Sequence, residues 1–316
     1  MVALVTGATG FVGREVVKAL LSRGVEVRCF VRTPGSERVL GSGLDVHYGD
    51  VRDPAALRAA FYDVDVVVHL VAIIRERGTL TLDGINHRGT ENVVEAAAGV
   101  GVSHFIHQSA LGAREDPAYA YLYSKWQGEQ AVIRSGLPYT ILRPSVIFGP
   151  GDEFVNLLAS LAKAFPIVPI PGTGRNRFQP LAVDEMARCL AETTGREDLI
   201  GRVIELGGPE HLPMDDLVDT IARTCNVRRL KVHVPQRIMR LAVKAMAALT
   251  GRAPATQDQL RSMAIPNVAG LNTVEETFGF RPRPVAGNID YVKRIGFRDA
   301  LKSALTGSMP AHIGDG

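Results

Sequence analysis

The sequence predicts an α/β protein: a doubly wound parallel sheet followed by a smaller C-terminal α/β lobe. Three observations predict it. Strand-like and helix-like stretches alternate through roughly the first 145 residues. Asp65-Val66-Val67-Val68-His69-Leu70-Val71-Ala72 is nearly continuous in apolar residues, as a strand buried on both faces requires. The chain also opens with a strand-prone run, Val2-Ala3-Leu4-Val5-Thr6, which passes directly into Gly7-Ala8-Thr9-Gly10-Phe11-Val12-Gly13.

That opening stretch organises the rest. The three glycines are spaced G-x-x-G-x-x-G, and a helical pattern (Val12, Val16, Val17, Leu20, Leu21) begins on the last of them. A strand, a glycine turn and a helix N-terminus let backbone N–H groups approach a pyrophosphate. The first glycine permits the turn, the second the close approach and the third the packing of helix on strand. A plain strand–helix turn needs no such triplet, so a dinucleotide site is expected over Gly7, Thr9, Gly10, Phe11, Val12 and Gly13.

Val25–Arg32 reads as the second strand. An NAD-selective site places an acid near its end for the ribose 2′-hydroxyl, and here the strand ends Val31-Arg32. An arginine pairs with a 2′-phosphate, so NADP(H) is favoured. Arg32 as a plain solvated charge leaves NAD(H) open. Leu44–Tyr48 is the third strand, and Asp53-Pro54 forms the cap and first residue of a helix. Asp50 stands where a carboxylate accepts from an adenine amino group. After the apolar fourth strand, Asn86–Ala98 reads as a helix and His104–Ser109 as a fifth strand ending in a hydroxyl. The ligand of such a sheet lies at the carboxyl ends of its strands.

Tyr121 and Lys125 then fall four apart on one helix face within Tyr119–Glu129. A tyrosine works as an acid or base near neutral pH when its pKa falls from about 10, and a neighbouring ammonium favours that fall. Tyr-x-x-x-Lys also occurs by chance on helix surfaces. Its place after five strands of a nucleotide fold gives the chemical reading its weight.

The bulk numbers fit a soluble enzyme or binding protein of one large domain or a large and a small one. The chain has 316 residues, 46% hydrophobic and 22% charged, with a net charge of +3 that is too small to argue for nucleic acid. Cys29, Cys189 and Cys225 are odd in number and far apart, which suits reduced thiols in the cytoplasm. The first strand begins at Val2, so no leader is expected, and no apolar run reaches the ~18 residues of a membrane span. The histidines are scattered. His104 and His107 point to opposite faces of a strand, His69 suits a hydrogen-bonded core position, and no metal site is expected.

Gly7–Gly13, Asp50, the Asn86 helix, Tyr121 and Lys125 with Ser124 and Gly128-Glu129, and Arg143–Pro150 together resemble the extended short-chain dehydrogenase/reductase superfamily. The resemblance runs from Val2 to about Leu206. Ile106–Ala113 and Tyr139–Ser145 are most similar to an atypical branch that includes the NADPH-binding accessory subunit of respiratory complex I and its bacterial relatives. The resemblance implies a Rossmann unit over residues 1–150, completed by strand segments near 175–207, with 151–316 mainly the substrate lobe. It implies Tyr121 as acid/base, Lys125 on the nicotinamide ribose, and Pro144 and Val146 lining the nicotinamide. Val51, Leu70, Val71 and Ala72 complete the expected cofactor set. Family enzymes carry a substrate-binding Ser or Thr where Ala110 stands, one residue after Ser109; Ser109 is taken as the catalytic hydroxyl. A missing donor of this kind costs roughly 10²–10³ in rate.

Hydride transfer between NADP(H) and a carbonyl or alcohol is the activity this implies. An accessory or assembly factor, or redox sensor, that holds NADPH for a membrane respiratory or quinone-related complex is the alternative. A sugar-nucleotide epimerase or dehydratase is a further one, weakened by Ala110 and the NADP-type strand end. Family members often pair through helices like Asn86–Ala98 and Tyr119–Arg134, which makes a homodimer a further expectation.

In the lobe, Phe154–Ala164 is a helix, Pro166–Gly174 a proline-rich connection, and Arg175 and Arg177 candidates for an anionic group. Val183–Thr194 and Met214–Cys225 are helices flanking a strand near Val203, and a last helix is expected near Ile289–Leu305. Thr220–Gln257 holds eight basic residues, Arg223, Arg228, Arg229, Lys231, Arg237, Arg240, Lys244 and Arg252, and no acid. Within Arg237–Leu249, Arg237, Arg240 and Lys244 form one stripe. Ile238, Met239, Ala242, Ala245, Met246 and Leu249 form the opposite face. Such a helix either packs on its own lobe or docks a cytoplasmic protein on the inner face of a membrane or on a membrane complex. Residues 308–316 are small and polar enough to fray.

Overall fold

The computed structural model describes residues 1–250 and 255–307; Arg252, the Leu249 side chain and the 308–316 tail lie outside them. The chain divides into two compact units. The first comprises Met1–Pro144 and Val183–Leu206, the second Ser145–Ala182 and Gly207–Gly316.

The first unit is a Rossmann sheet of seven parallel strands: β1 (Val2–Thr6), β2 (Glu26–Val31), β3 (Asp45–Tyr48), β4 (Val66–His69), β5 (His104–Gln108), β6 (Tyr139–Pro144) and β11 (Arg202–Leu206). Their order is β11-β6-β5-β4-β1-β2-β3, so the chain reverses direction across the sheet between β1 and β4. The register aligns the strand ends: Thr6 pairs with Phe30 and His69, and His69 with His107. α1 (Phe11–Ser22) packs on α6 (Val183–Thr193), and α2 (Pro54–Ala60), α3 (Arg88–Val100) and α4 (Ala120–Arg134) pack in succession on one another. Leu4, Phe30, Val67, Phe105 and Ile141 meet Leu57, Val93, Ala97 and Val132 in one core. Asp53 caps α2 by accepting from the Ala55 and Ala56 N–H groups, with Pro54 at the first helical position.

The helix expected from Asn86 begins instead as a π-helical turn, Asp83–His87, that leads into α3. Such turns recur at functional sites. This one places Asn86 fully inside the protein.

The second unit pairs its strands in twos: β7 (Ile147–Phe148) with β10 (Leu181–Ala182), β9 (Arg177–Phe178) with β12 (Leu212–Pro213), and β8 (Ile167–Pro171) with β13 (Leu230–Val234). Its helices are α5 (Phe154–Ala164), α7 (Met214–Thr224), α8 (Gln236–Thr250), α9 (Gln257–Ser262), α10 (Thr273–Phe278) and α11 (Phe297–Thr306). α5 packs between α7 and α11. Val155, Leu158, Val168, Ile170, Leu217, Ile221, Ile289 and Ala300 form its core.

Three local expectations are corrected here. The proline-rich connection at 166–174 contains a strand, β8, because Val168 and Ile170 turn inward in alternation with Ile167, Pro169 and Pro171. The last helix is broken: a 3-10 turn covers Asp290–Arg294, and α11 starts afresh at Phe297 after Gly296. On α8 the inward residues are Val243, buried, with Met239, Arg240 and Met246 half-buried. Ile238, Leu241, Ala242 and Ala245 face outward beside Arg237 and Lys244. Apolar residues on nearly every side of this helix left its buried face undecided by spacing.

Candidate active site

The glycine turn has the form of a ligand cradle. Gly7 sits at φ +77°, and a Cβ on it would lie 3.2 Å from Leu70 C and Val71 N. The turn therefore rests directly on the segment after β4. A Cβ on Gly13 would stand 2.1 Å from the Gly7 carbonyl, so only glycine lets α1 start this close to β1. Gly10 caps α1 with no side-chain cap and no acid in the first turn. The first N–H groups of α1 are thus left for a ligand, and the residues present fit a nucleotide pyrophosphate. Thr9, Phe11 and Val12 are half-buried around the exposed Gly10.

At the ends of β2 and β3 the structure adds a residue that the sequence reading missed. Arg32 is exposed. Asp50 is held by Arg52 in a fork, with Nε to Oδ1 at 2.9 Å and Nη2 to Oδ2 at 2.8 Å. These hydrogen bonds, helped by the field of Arg32, hold the Asp50 carboxyl below its ordinary range. Two arginines therefore share this corner. The acid in the following loop, Glu37, accepts from the Gly35 N–H of its own turn. An arginine two residues past an acid was the available signal. Val51, buried, accepts from Asn92 Nδ2 at 2.9 Å through its carbonyl.

Below β1, β4 and β5 lies a polar network inside the protein. Thr90 Oγ1 donates to the Asn86 carbonyl at 2.8 Å, so His69 Nε2–H must donate to Thr90 (3.0 Å). His69 Nδ1 then accepts from Thr6 Oγ1 at 2.6 Å. Asn86 clamps two elements: its amide exchanges hydrogen bonds with both backbone groups of Ile73 and donates to Ser124 Oγ at 3.0 Å. A Cβ on Gly128 would lie 2.5 Å from the Asn86 carbonyl, so α4 approaches the π turn only because Gly128 has none.

Asn86 thus fixes the helix that carries Tyr121 and Lys125. Lys125 is 2% exposed and its Nζ donates to the Gln108 carbonyl at 2.8 Å. Burial pulls its ammonium down to about 8, against an opposing pull from Glu129 one turn on. Glu129, itself buried, takes Arg143 in a two-point bridge at 2.8 and 2.6 Å. Burial pushes the Tyr121 phenol up to about 12, the reverse of the expected fall, so the chain alone keeps this tyrosine protonated. On β5, His107 stacks on His69 with ring centroids 5.3 Å apart. Both His107 ring nitrogens, the Gln108 Oε1 and the Ser109 Oγ are buried without a hydrogen-bond partner. Ser109 is thus an uncommitted hydroxyl, followed by Ala110.

The first unit brings the glycine turn together with Leu70 and Val71, and Lys125 with the end of β5. Ala72 is exposed beyond β4. Pro144 ends β6, its carbonyl accepting from Leu111 N–H at 2.9 Å. Val146 belongs to the second unit and donates to Asn267 Oδ1 at 3.0 Å. Arg175 and Arg177 are exposed there.

Comparison with known proteins gives a consistent picture. Residues 7–153 match the model of an NAD(P)H-binding family. The chain is 30% identical, over 70% of its length and 72% of the relative's, to (4-alkanoyl-5-oxo-2,5-dihydrofuran-3-yl)methyl phosphate reductase of Streptomyces griseus. It is 28% identical, over 80% of its length and 72% of the relative's, to the mitochondrial NADH dehydrogenase [ubiquinone] 1 alpha subcomplex subunit 9 of Dictyostelium discoideum. Among solved structures, an Escherichia coli NADPH-dependent quinone oxidoreductase in complex with NADPH has the same fold. It superposes with a TM-score of 0.75 at 20% identity, over 92% of this chain and 99% of that one.

Proposed function

Because the chain belongs to the NAD(P)H-binding Rossmann family that includes short-chain reductases, we propose that it is an NADP(H)-dependent oxidoreductase acting on a carbonyl or alcohol. One observation carries the reading: Lys125, 2% exposed, lies one turn after Tyr121 and is tied to the end of β5. A buried lysine is costly unless its charge is used. When bound, a reduced nicotinamide supplies hydride to the carbonyl carbon. The residues of the chain do the rest. The backbone of Gly7–Val12 holds the pyrophosphate, and Arg32 with Arg52 takes a 2′-phosphate. Lys125 has N–H groups beyond the one given to Gln108 and offers them to ribose hydroxyls. Tyr121 keeps its proton at neutral pH and gives it to the carbonyl oxygen as charge develops there, which favours reduction over oxidation. Ser109 donates to the same oxygen in place of the hydroxyl missing at Ala110.

A second reading draws support from Ala110 and from the resemblance to the NADH dehydrogenase subunit. In it the nucleotide is held without turnover, and the protein serves as an accessory of a membrane complex. Denaturing the purified protein and identifying any released nucleotide, then titrating NADPH and NADH by fluorescence, separates the two. Reversible NADPH binding, with carbonyl-dependent oxidation lost in Tyr121→Phe, supports the enzyme. NADPH released only on unfolding, with Tyr121→Phe silent and Gly10→Asp losing nucleotide and fold together, supports the accessory. A preference for NADH sinks the assignment of Arg32 and Arg52.

A further inference from the structure

The ribbon of β8 and β13 has an inner face, which carries Val168 and Ile170 into the core, and an outer face whose residues are exposed or half-buried. Its parallel register pairs Ile167 with Leu230, Pro169 with Val232 and Pro171 with Val234. These six residues share one face of the ribbon, since side chains at alternate positions point the same way. The other face is spoken for: Val168 and Ile170 are in the core, Lys231 Nζ donates to Asp219 Oδ2 at 2.6 Å, and His233 Nε2 lies 3.0 Å from both Asp215 oxygens. On the outer face Leu230 is 63% exposed, Ile167 45% and Val232 38%, and Pro169, Pro171 and Val234 are half-buried. Just after β13, at Gln236, α8 begins, and it turns Ile238 (57% exposed) and Leu241 (68%) to the outside.

Charge selects the occupant. Arg228, Arg237 and Lys244 are exposed around these apolar residues, and residues 220–257 contain no acid. The acids on α7 and α9 are Asp215 and Asp219, engaged on the inner face, the exposed Asp216, and Asp258 on α9. A second copy meeting this face by two-fold symmetry would bring one basic patch against another with no acid of residues 220–257 between them. Strand addition at the β8 edge is hindered by Pro169 and Pro171, which have no N–H to give. Basic groups beside exposed apolar residues match a broad surface that is anionic outside and apolar beneath. We propose that the outer face of the β8–β13 ribbon, continued by the outward stripe of α8, docks on an anionic lipid bilayer. Leu230, Val232, Ile238 and Leu241 enter the acyl boundary while Arg228, Arg237 and Lys244 meet the headgroups. The surface extends beyond the helix expected from sequence, and it is independent of whether the first unit turns its nucleotide over.

The test is sedimentation of the full chain with vesicles of phosphatidylcholine alone, or with one third phosphatidylglycerol. Binding is expected to the anionic vesicles only, and to be lost on raising salt from about 0.05 to about 0.5 M. Ile238→Asp/Leu241→Asp and, separately, Arg237→Glu/Lys244→Glu should each weaken binding at least about tenfold. Leu230→Asp tests the ribbon itself by the same measure, and Tyr62→Asp, exposed in the first unit, should leave binding unchanged. All these positions are solvent-facing, so an unchanged melting curve and unchanged NADPH titration certify each variant and keep this test separate from the redox reading. No binding to anionic vesicles at low salt, equal binding to neutral ones, or indifference to both double variants overturns the proposal. So does a concentration-dependent dimer abolished by Ile238→Asp/Leu241→Asp without vesicle binding, which would assign the face to a second copy.

Discussion

The seven-stranded sheet of the first unit and the two-stranded ribbon of the second are both parallel, both rich in valine, isoleucine and leucine, and differ in what covers them. Apart from the half-buried Val2, every residue of β1 and β4 is buried, so their apolar residues have no side left to offer. The ribbon uses the same residue types on a face that leaves Leu230, Ile167 and Val232 exposed. Apolar content thus measures what a strand is able to bury, and only topology says what it does bury. The polar residues invert the lesson. In the first unit they lie inside, under the cradle, where each must find a partner or bear the cost. In the ribbon Lys231 and His233 reach acids near the surface, where a lost partner is replaced by water.

The contrast breaks most sharply at Gly13. Gly13→Val should abolish nucleotide binding and cost more than about 3 kcal/mol, because the Gly7 carbonyl has nowhere to go. The fluorescence of Trp126, the single tryptophan, reports the unfolding of the first unit. Next comes Glu129→Ala. It strands half-buried Arg143 and should cost about 3 kcal/mol in the same assay. Stability unchanged to within experimental error would show that Glu205, 3.5 Å from Arg143, suffices as its partner.

The stacked histidines sharpen the comparison further. His69→Leu orphans the Thr6 and Thr90 hydroxyl contacts and should destabilise by about 2 kcal/mol, whereas His107→Leu removes two unpaired nitrogens and should be neutral or stabilising. A pH effect accompanies them. Burial lowers His69 to about 3 and His104 to about 4, and carries His107 the same way, so the unfolded chain takes up these protons first. Stability of the first unit should therefore fall as pH drops from about 6.5 toward 4, with a shallower fall in His107→Leu, as read by urea unfolding. The smallest effect belongs to the ribbon: Leu230→Ser should change stability by less than about 0.5 kcal/mol.

Much of the first unit was legible because its constraints are local and repeated. Glycines at fixed spacing, an apolar run for a doubly covered strand and a proline after a capping aspartate each have one structural meaning. Asn86 reads from spacing as part of a helix and not as a clamp, since a π turn leaves no mark in spacing and its partners, Ile73 and Ser124, are distant in sequence. Arg52 carries only a weak mark in the sequence because its place beside Arg32 depends on bonding Asp50 across a turn. In the second unit, prolines at 166, 169 and 171 masked the inward alternation of Val168 and Ile170. On α8, alanines and long apolar residues at many angles left the buried stripe to be chosen by the packing of α9.

Chain order also bears on how the sheet is made. β11 pairs with β6, and α6 packs on α1, yet both come only after the excursion of 145–182. A polypeptide emerging from the ribosome therefore has six strands of its Rossmann sheet in hand by Pro144, with the last of them an open edge. It must carry that unfinished edge through the synthesis of about forty residues of the other unit before α6 arrives, and through almost sixty residues in all, α6 included, before β11 closes the sheet.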